Sequence, residues 1–352
     1  MSEQAAPGPG AEGEPPPSVR MFDLLYGFEV SQALFVAVKL DLATLLQAGP
    51  RSVEDLAAAC GAQAGPLRRL LRVLASLGVF ATVGPGTFAL TPLGGTLASG
   101  TPGSMREVAL MCMDLNYGSF GKLLDTLTTG TAGSEIYLGR QLFEWLADHP
   151  VEQGQFTGAM RNLAESLALR ALSAYRLPAG DVVADIGGAD GTILSFLLAG
   201  DPARRGILFD RPQVVPAASR LLAGRGLADR VSIVAGDFFE AVPAADVYVM
   251  SKILHDWDDE SCRRLLASIA TAARPGARLV VLEQVVPEGD QPHMSKMVDL
   301  TMLVMGSGKE RTAEEFEALF ASAGFRLDQI VETRTPMPIL EATLTGSLPT
   351  HG

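Results

Sequence analysis

The sequence predicts an α/β protein in which a doubly wound parallel sheet follows a mostly helical domain. Two observations carry this. After Pro178, short apolar strands alternate with helical runs, a pattern that places helices on both faces of parallel strands. Before it, a capped helix and a second helix with one apolar face run into a hairpin, the element order of a winged helix.

Residues 1–17 (MSEQAAPGPGAEGEPPP) have almost nothing to bury and predict a flexible tail. From Met21 to Leu46, Phe22, Leu25, Phe28, Ala33, Val36, Val38, Leu42 and Leu45 recur at helical spacing, which predicts two helices. Ser52 is placed to cap a third helix that stops at Gly61, and Leu67, Leu70, Leu71, Leu74 and Leu77 give the next helix one apolar face. Val79–Val83 and Thr87–Thr91, joined through Gly84-Pro85-Gly86, read as a hairpin. Residues 18–104 are therefore expected to form the winged-helix domain. Residues 105–178 read as a helical linker that carries the stripe Phe156, Met160, Leu163 and Leu167, and 179–345 as the sheet domain. Its expected strands are Val182–Ile186, Arg205–Asp210, Val231–Ala235, Asp246–Met250 and Ala277–Glu283.

Composition narrows the function. With 352 residues, 47% hydrophobic and 19% charged, the chain has the make-up of a soluble globular protein of two domains. Charge, Gly and Pro break the apolar stretches short of a membrane span, and the N-terminus lacks the pattern of a signal peptide. Cys60, Cys112 and Cys262 are odd in number and widely spaced, which argues for free thiols in a reducing cytoplasm. The net charge of −12 opposes nucleic acid, and the hairpin 79–91 has no Lys or Arg to join Arg68, Arg69 and Arg72 on a DNA-reading helix.

The first strand ends in Asp185-Ile-Gly187-Gly188-Ala-Asp190-Gly191 and enters a helix. Glycines there let backbone approach a ligand at the carboxyl end of a parallel sheet. The spacing departs from G-x-G-x-x-G, and two carboxylates beside the loop would repel a pyrophosphate while suiting a cationic cofactor. Asp210 ends the second strand, where an acid takes ribose hydroxyls; Gly236-Asp237-Phe238 follows the third, suited to adenine.

These motifs, in order with Leu254-His255-Asp256-Trp257-Asp258-Asp259, resemble the S-adenosylmethionine-dependent small-molecule O-methyltransferases that carry a winged-helix dimerisation domain. The resemblance spans nearly all the chain from about residue 20 and implies a Rossmann-like, class I methyltransferase sheet and an intertwined homodimer. It implies cofactor contacts at Gly187, Asp210, Asp237 and Phe238, with Trp257 stacking near the adenine; Asp185, Gly188 and Ser251 complete the expected set. Two departures stand out. Ala189 occupies a place where many relatives have glycine, and Ser251 one where many have lysine; Lys252 is offset by one from that position.

His255 is the expected general base, since a phenol with a pKa near 10 needs a proton acceptor as it attacks a sulfonium methyl. His149, His293 and His351 lie in polar loops or the tail and read as surface residues. The resemblance puts Glu283 and Glu310 at the two positions whose carboxylates orient that histidine, and the sulfonium brings its own leaving group, so no metal is expected. Asp256, Asp258, Asp259 and Glu260 read as charges at a helix start rather than a metal cluster, with Asp256 on the substrate side. Phe156, Met160, Met302 and Met305 are the expected walls of an aromatic pocket, with Asn116, Tyr117 and Phe120 as further candidates and Met111, Met113, Met294 and Met297 equally open as core. The acceptor is expected to be a phenolic or polycyclic bacterial secondary metabolite. Non-methylating use of the bound cofactor, as hydroxylase or decarboxylase, is the alternative, and a DNA-binding regulator the third.

Overall fold

A computed structural model describes residues 15–346; the expected tail lies outside it up to Glu14, as does His351. The chain divides into two compact units, residues 1–99 and 100–352. The helical segment 105–178 thus belongs with the sheet rather than with the N-terminal domain.

In the first unit, helices α1 (Pro17–Leu25) and α2 (Gly27–Lys39) lead to a three-stranded sheet of order β1-β3-β2, formed by Arg51–Ser52, Thr87–Leu90 and Phe80–Gly84. Between β1 and β2 stand α3 (Val53–Cys60) and α4 (Ala64–Ser76). The local signals act as expected: Ser52 Oγ accepts the Asp55 N–H at 3.1 Å, and Gly61 ends α3 with φ +72°. Arg68 pairs with Glu54 at 2.8 Å. Pro17–Lys39 is a nearly continuous 23-residue helical stretch whose most apolar window has mean hydropathy 1.4, long and apolar enough to cross a membrane by length and composition only, with 11% of that window buried. Pro17, expected in the tail, opens α1 because proline is tolerated in a helix's first turn.

The second unit is built on a seven-stranded sheet. It comprises β4 (Val182–Ile186), β5 (Arg205–Asp210), β6 (Val231–Ala235), β7 (Val247–Ser251), β8 (Arg278–Leu282), β9 (Phe325–Val331) and β10 (Ile339–Leu344). The order is β6-β5-β4-β7-β8-β10-β9; the first five run parallel, while β10 is antiparallel to both β8 and β9. The wholly parallel sheet expected from sequence is therefore mixed. Its five parallel strands match the expected ones within a residue at each end, and the antiparallel pair is additional.

Alternation along β7 shows why these strands read as continuous apolar runs. Val247 and Val249 pack with Leu194 and Leu198 of helix α5 (Thr192–Ala199). Tyr248 and Met250 face the other way, towards Leu265 and Ile269 of helix α6 (Asp259–Ala272). Both faces are dry, so both must be apolar. After β4 the chain winds outward to β6, then returns to place β7 on β4's other side. A crevice opens at such a reversal, at the carboxyl ends of β4 and β7.

The turn leaving β4 holds Gly187 at φ +72°, Ala189 at +48° and Gly191 at +81°. A Cβ on Gly187 would strike the Ile253 side chain, and one on Gly188 would lie 2.8 Å from Asp185 Cγ. Ala189 occupies the left-handed region despite its Cβ, a cost of about 1–2 kcal/mol, so Ala189→Gly should stabilise the fold by roughly 1 kcal/mol after the unfolded-state entropy is offset. Denaturant midpoints check this; a destabilised variant would contradict it.

Candidate active site

His255 sits in a tight turn, Leu254–Asp256, shortly past β7 and only 8% exposed. Two carboxylates reach it differently. Glu310 Oε1 lies 2.7 Å from His255 Nδ1, a hydrogen bond in which Nδ1 donates. Glu283, just past β8, places Oε2 3.9 Å from Nδ1, beyond hydrogen bonding, while its Oε1 accepts the Ile253 and Leu254 N–H groups, each at 2.8 Å. The two acids, expected to share one task, divide it. Glu310 orients the ring and Glu283 caps the turn that carries it. Asp256 Oδ1 lies 3.5 Å from Nε2.

Segment 308–311 lies against this turn because Gly308 permits it: a Cβ there would overlap His255 O and come within 2.6 Å of Asp256 C. Asp299, on helix α7 (Met294–Met305), accepts the Glu310 N–H at 2.9 Å, so the pocket helix and the carboxylate segment are tied together. The next helix, α8 (Ala313–Ser322), starts with a capping box of Thr312 and Glu315.

The electrostatics follow from burial. Removal from water disfavours charge on His255, but Glu283, Asp256 and the bonded Glu310 more than offset this and raise its pKa to about 9. Burial lifts Glu283 to about 6, with His255 pulling it down and Glu310 pushing it up. Lys252, held at φ +56°, is lowered by burial against the pull of Glu283, Glu310 and Asp256. His255, Glu283 and Glu310 place ligand atoms within 4.8 Å of one another. At 2.7 Å, though, Nδ1 and Glu310 Oε1 are spaced as a hydrogen bond, closer than two ligands each about 2.0–2.2 Å from a tetrahedral metal would be.

Around the crevice, Asp210 accepts the Ala189 N–H at 2.8 Å and the Arg211 N–H at 2.7 Å, fixing the glycine loop. The Asp185 side chain is buried against Gly188, accepts a bond from the Leu194 amide, and its Oδ2 has no hydrogen-bond partner among the described residues. Burial, then Asp210, raises it to about 7. Asp190 Oδ1 accepts the Thr192 N–H, the first amide of α5, at 3.0 Å. Asp237 is exposed, with Oδ1 on the Phe239 N–H at 2.8 Å. Phe238 and Trp257 meet edge-on, ring centroids 5.9 Å apart, and Phe239, which no sequence signal singles out, lies nearer Trp257 at 4.8 Å with Arg264 over its other side at 5.0 Å. Ser251 ends β7, half-buried.

Phe156, Met160 and Met305 come together with Met111 and Trp145 in one apolar cluster; Met302 lies one turn earlier on α7. Met294, Met297 and Tyr117 are largely exposed. Asp258 caps α6 by accepting the Ser261 N–H at 2.7 Å, as expected of that acidic run.

These residues fit S-adenosylmethionine: glycines cleared for backbone approach, an acidic rim for a cation, and aromatic faces for an adenine. The family profile described as an O-methyltransferase domain matches residues 120–326, and that of the O-methyltransferase dimerisation domain matches 22–100. The chain is 41% identical to the phenazine O-methyltransferase of Lysobacter antibioticus, covering 94% of this chain and 97% of that one. It is 36% identical to the mitomycin biosynthesis 6-O-methyltransferase of Streptomyces lavendulae, covering 93% and 94%. It is 34% identical to an 8-amino-8-demethylriboflavin N,N-dimethyltransferase of Streptomyces davaonensis, covering 91% and 93%. Among solved structures, human N-acetylserotonin methyltransferase in complex with S-adenosylmethionine superposes with TM-score 0.86 at 28% identity, covering 95% and 99%. None of these relatives supports the non-methylating or DNA-binding alternatives. The chain belongs to the S-adenosylmethionine-dependent O-methyltransferase family, some of whose members methylate nitrogen.

Proposed function

We propose that this enzyme methylates an aromatic hydroxyl of a small secondary metabolite, with His255 as general base. The observation that carries this is the 2.7 Å bond from Nδ1 to Glu310, which occupies that nitrogen and leaves the other, Nε2, with Asp256 at 3.5 Å, to take a proton. Bound in the crevice, S-adenosylmethionine supplies an electrophilic methyl on a sulfonium. Gly187 and Gly188 admit its chain, Asp210 and Asp237 face its ribose and adenine, Phe238 and Trp257 flank the ring, and Ser251 borders the cofactor. Asp185 acts through the loop. Phe156, Met160, Met302 and Met305 hold the acceptor ring flat, and Asp256 lies beside its hydroxyl.

A base with its pKa raised to about 9 lies closer to a phenol, near 10, than free imidazole does at about 6.5, so proton transfer from the acceptor is nearly balanced. Nε2 takes the proton as oxygen attacks. The imidazolium that forms is stabilised by Glu310 on the opposite nitrogen, while Glu283 keeps the turn from shifting.

A screen of phenolic acceptors with labelled S-adenosylmethionine should yield products heavier by one methyl. His255→Ala should lower transfer by about 10²–10⁴ while leaving cofactor affinity nearly unchanged; full activity in that variant would overturn the base. Because the neutral imidazole is the active form, kcat/KM for the acceptor should climb as pH rises from 7, with a midpoint between 6.5 and about 9, since the cationic cofactor pulls the free-enzyme value down. A profile flat from pH 6 to 10 would argue against it.

The same proposal covers assembly. Met21, Phe22, Leu24, Leu25 and Phe28 are 52–69% exposed, more apolar surface than a monomer keeps in contact with water, and they fall in or beside the matched dimerisation segment. A second copy of the chain is the expected occupant. Solution scattering should give twice the mass of one chain, and a monodisperse monomer would refute it.

A further inference from the structure

Arg311 follows Glu310 in the chain, and its side chain is among the largest that are fully buried, at 0% exposure. A guanidinium carries five N–H donors in one rigid fork. Here Nη1 donates to Leu254 O at 2.9 Å and Nη2 to Trp257 O at 2.9 Å. Nε and Nη2 both donate to Asp259 Oδ1, at 3.0 and 2.9 Å. Leu254 and Trp257 bracket the turn that carries His255, so the fork fixes both ends of that turn in one plane. The backbone of Arg311 pairs parallel with Val285, and Val286 N–H donates to Arg311 O at 2.9 Å, just beyond Glu283. One residue thereby joins the three segments that carry His255, Glu283 and Glu310.

Packing alone does not call for a cation here. Burying a charge is costly unless it is paired, and an apolar side chain of similar volume often serves a core as well or better. What an apolar side chain cannot do is hold two carbonyls at a set angle.

We infer that Arg311 is a positioning residue for methyl transfer: its side chain sets the orientation of the His255 turn, and its backbone sets Glu310, so that it determines the alignment of the Nδ1···Oε1 bond. This rests on the reading of His255 as base. The charged groups facing His255 are Asp256 and Lys252 from its own loop, Glu283 from the end of β8 and Glu310 from the segment before α8.

The test compares Arg311→Met and Arg311→Lys with the unmodified full-length enzyme for kcat, acceptor KM, S-adenosylmethionine affinity and the pH profile of kcat/KM. Misalignment of a base by a fraction of an ångström should lower kcat of Arg311→Met about 10- to 100-fold, with cofactor affinity changed less than about threefold. Arg311→Lys, whose single ammonium cannot reach both carbonyls as a fork, should recover less than half of that loss on a logarithmic scale. The pH profile separates positioning from other roles. Loss of the Glu310 alignment moves the midpoint down towards 6.5, whereas loss of a nearby positive charge alone would move it up, and a mere brace of the fold would leave it in place in the surviving folded enzyme. An upward or absent shift overturns the proposal. If Arg311→Met does not fold, Arg311→Lys, which keeps the positive charge and so isolates the geometry, should shift the midpoint down by a smaller amount; an unchanged profile there also overturns it. His255→Ala distinguishes the two failures, since activity surviving in that variant defeats the base itself rather than its positioning.

Discussion

Burial of charge at the carboxyl edge of the sheet constrains everything else in the site. Glu283 and Glu310 have side chains with no exposure, His255 is nearly buried, and Arg311 is wholly so. Ions withdrawn from water are tolerated only where each finds a partner, and removing one partner from such a set typically costs about 3–5 kcal/mol. Each group therefore fixes the next: Glu283 holds two amides of the turn, Arg311 two of its carbonyls, and Glu310 the ring between them.

That arrangement gives His255 its chemical character. Imidazole buried alone would be a weaker base than in water, but among carboxylates it becomes a stronger one. Oε2 of both Glu283 and Glu310 lacks a hydrogen-bond partner among the described residues. The cluster thus retains unused acceptor capacity, which favours a positive charge on the ring.

The glycine loop solves a related problem in backbone. Asp210 from β5 accepts the loop's Ala189 amide, Asp185 lies buried against Gly188, and Asp190 accepts the first amide of the helix beyond. Three acids close together around one turn make different hydrogen bonds, because each leaves the backbone at a different point of the strands and loop. The same applies to Glu283 and Glu310. Phe239 and Arg311 escape a reading of the sequence for the matching reason. An apolar residue beside Phe238 and a cation beside Glu310 carry no periodic signal of their partners, Trp257 for the one and the Leu254 and Trp257 carbonyls for the other, which belong to a different segment of the chain.

Local signals are legible wherever one segment decides its own structure. The caps at Ser52, Gly61 and Thr312, the glycine turn after Ile186 and the five parallel strands all follow from short-range sterics and from apolar runs that two covered faces require. The ordered motifs from Asp185 to Glu310 suffice to identify the family. Tertiary structure alone decided the antiparallel β10–β9 edge, because strand direction depends on the partner strand and not on alternation. It also decided which carboxylate touches the imidazole. That is a matter of 2.7 against 3.9 Å between groups on separate segments, a difference set by Gly308 clearance and the Arg311 fork rather than by any spacing along the chain.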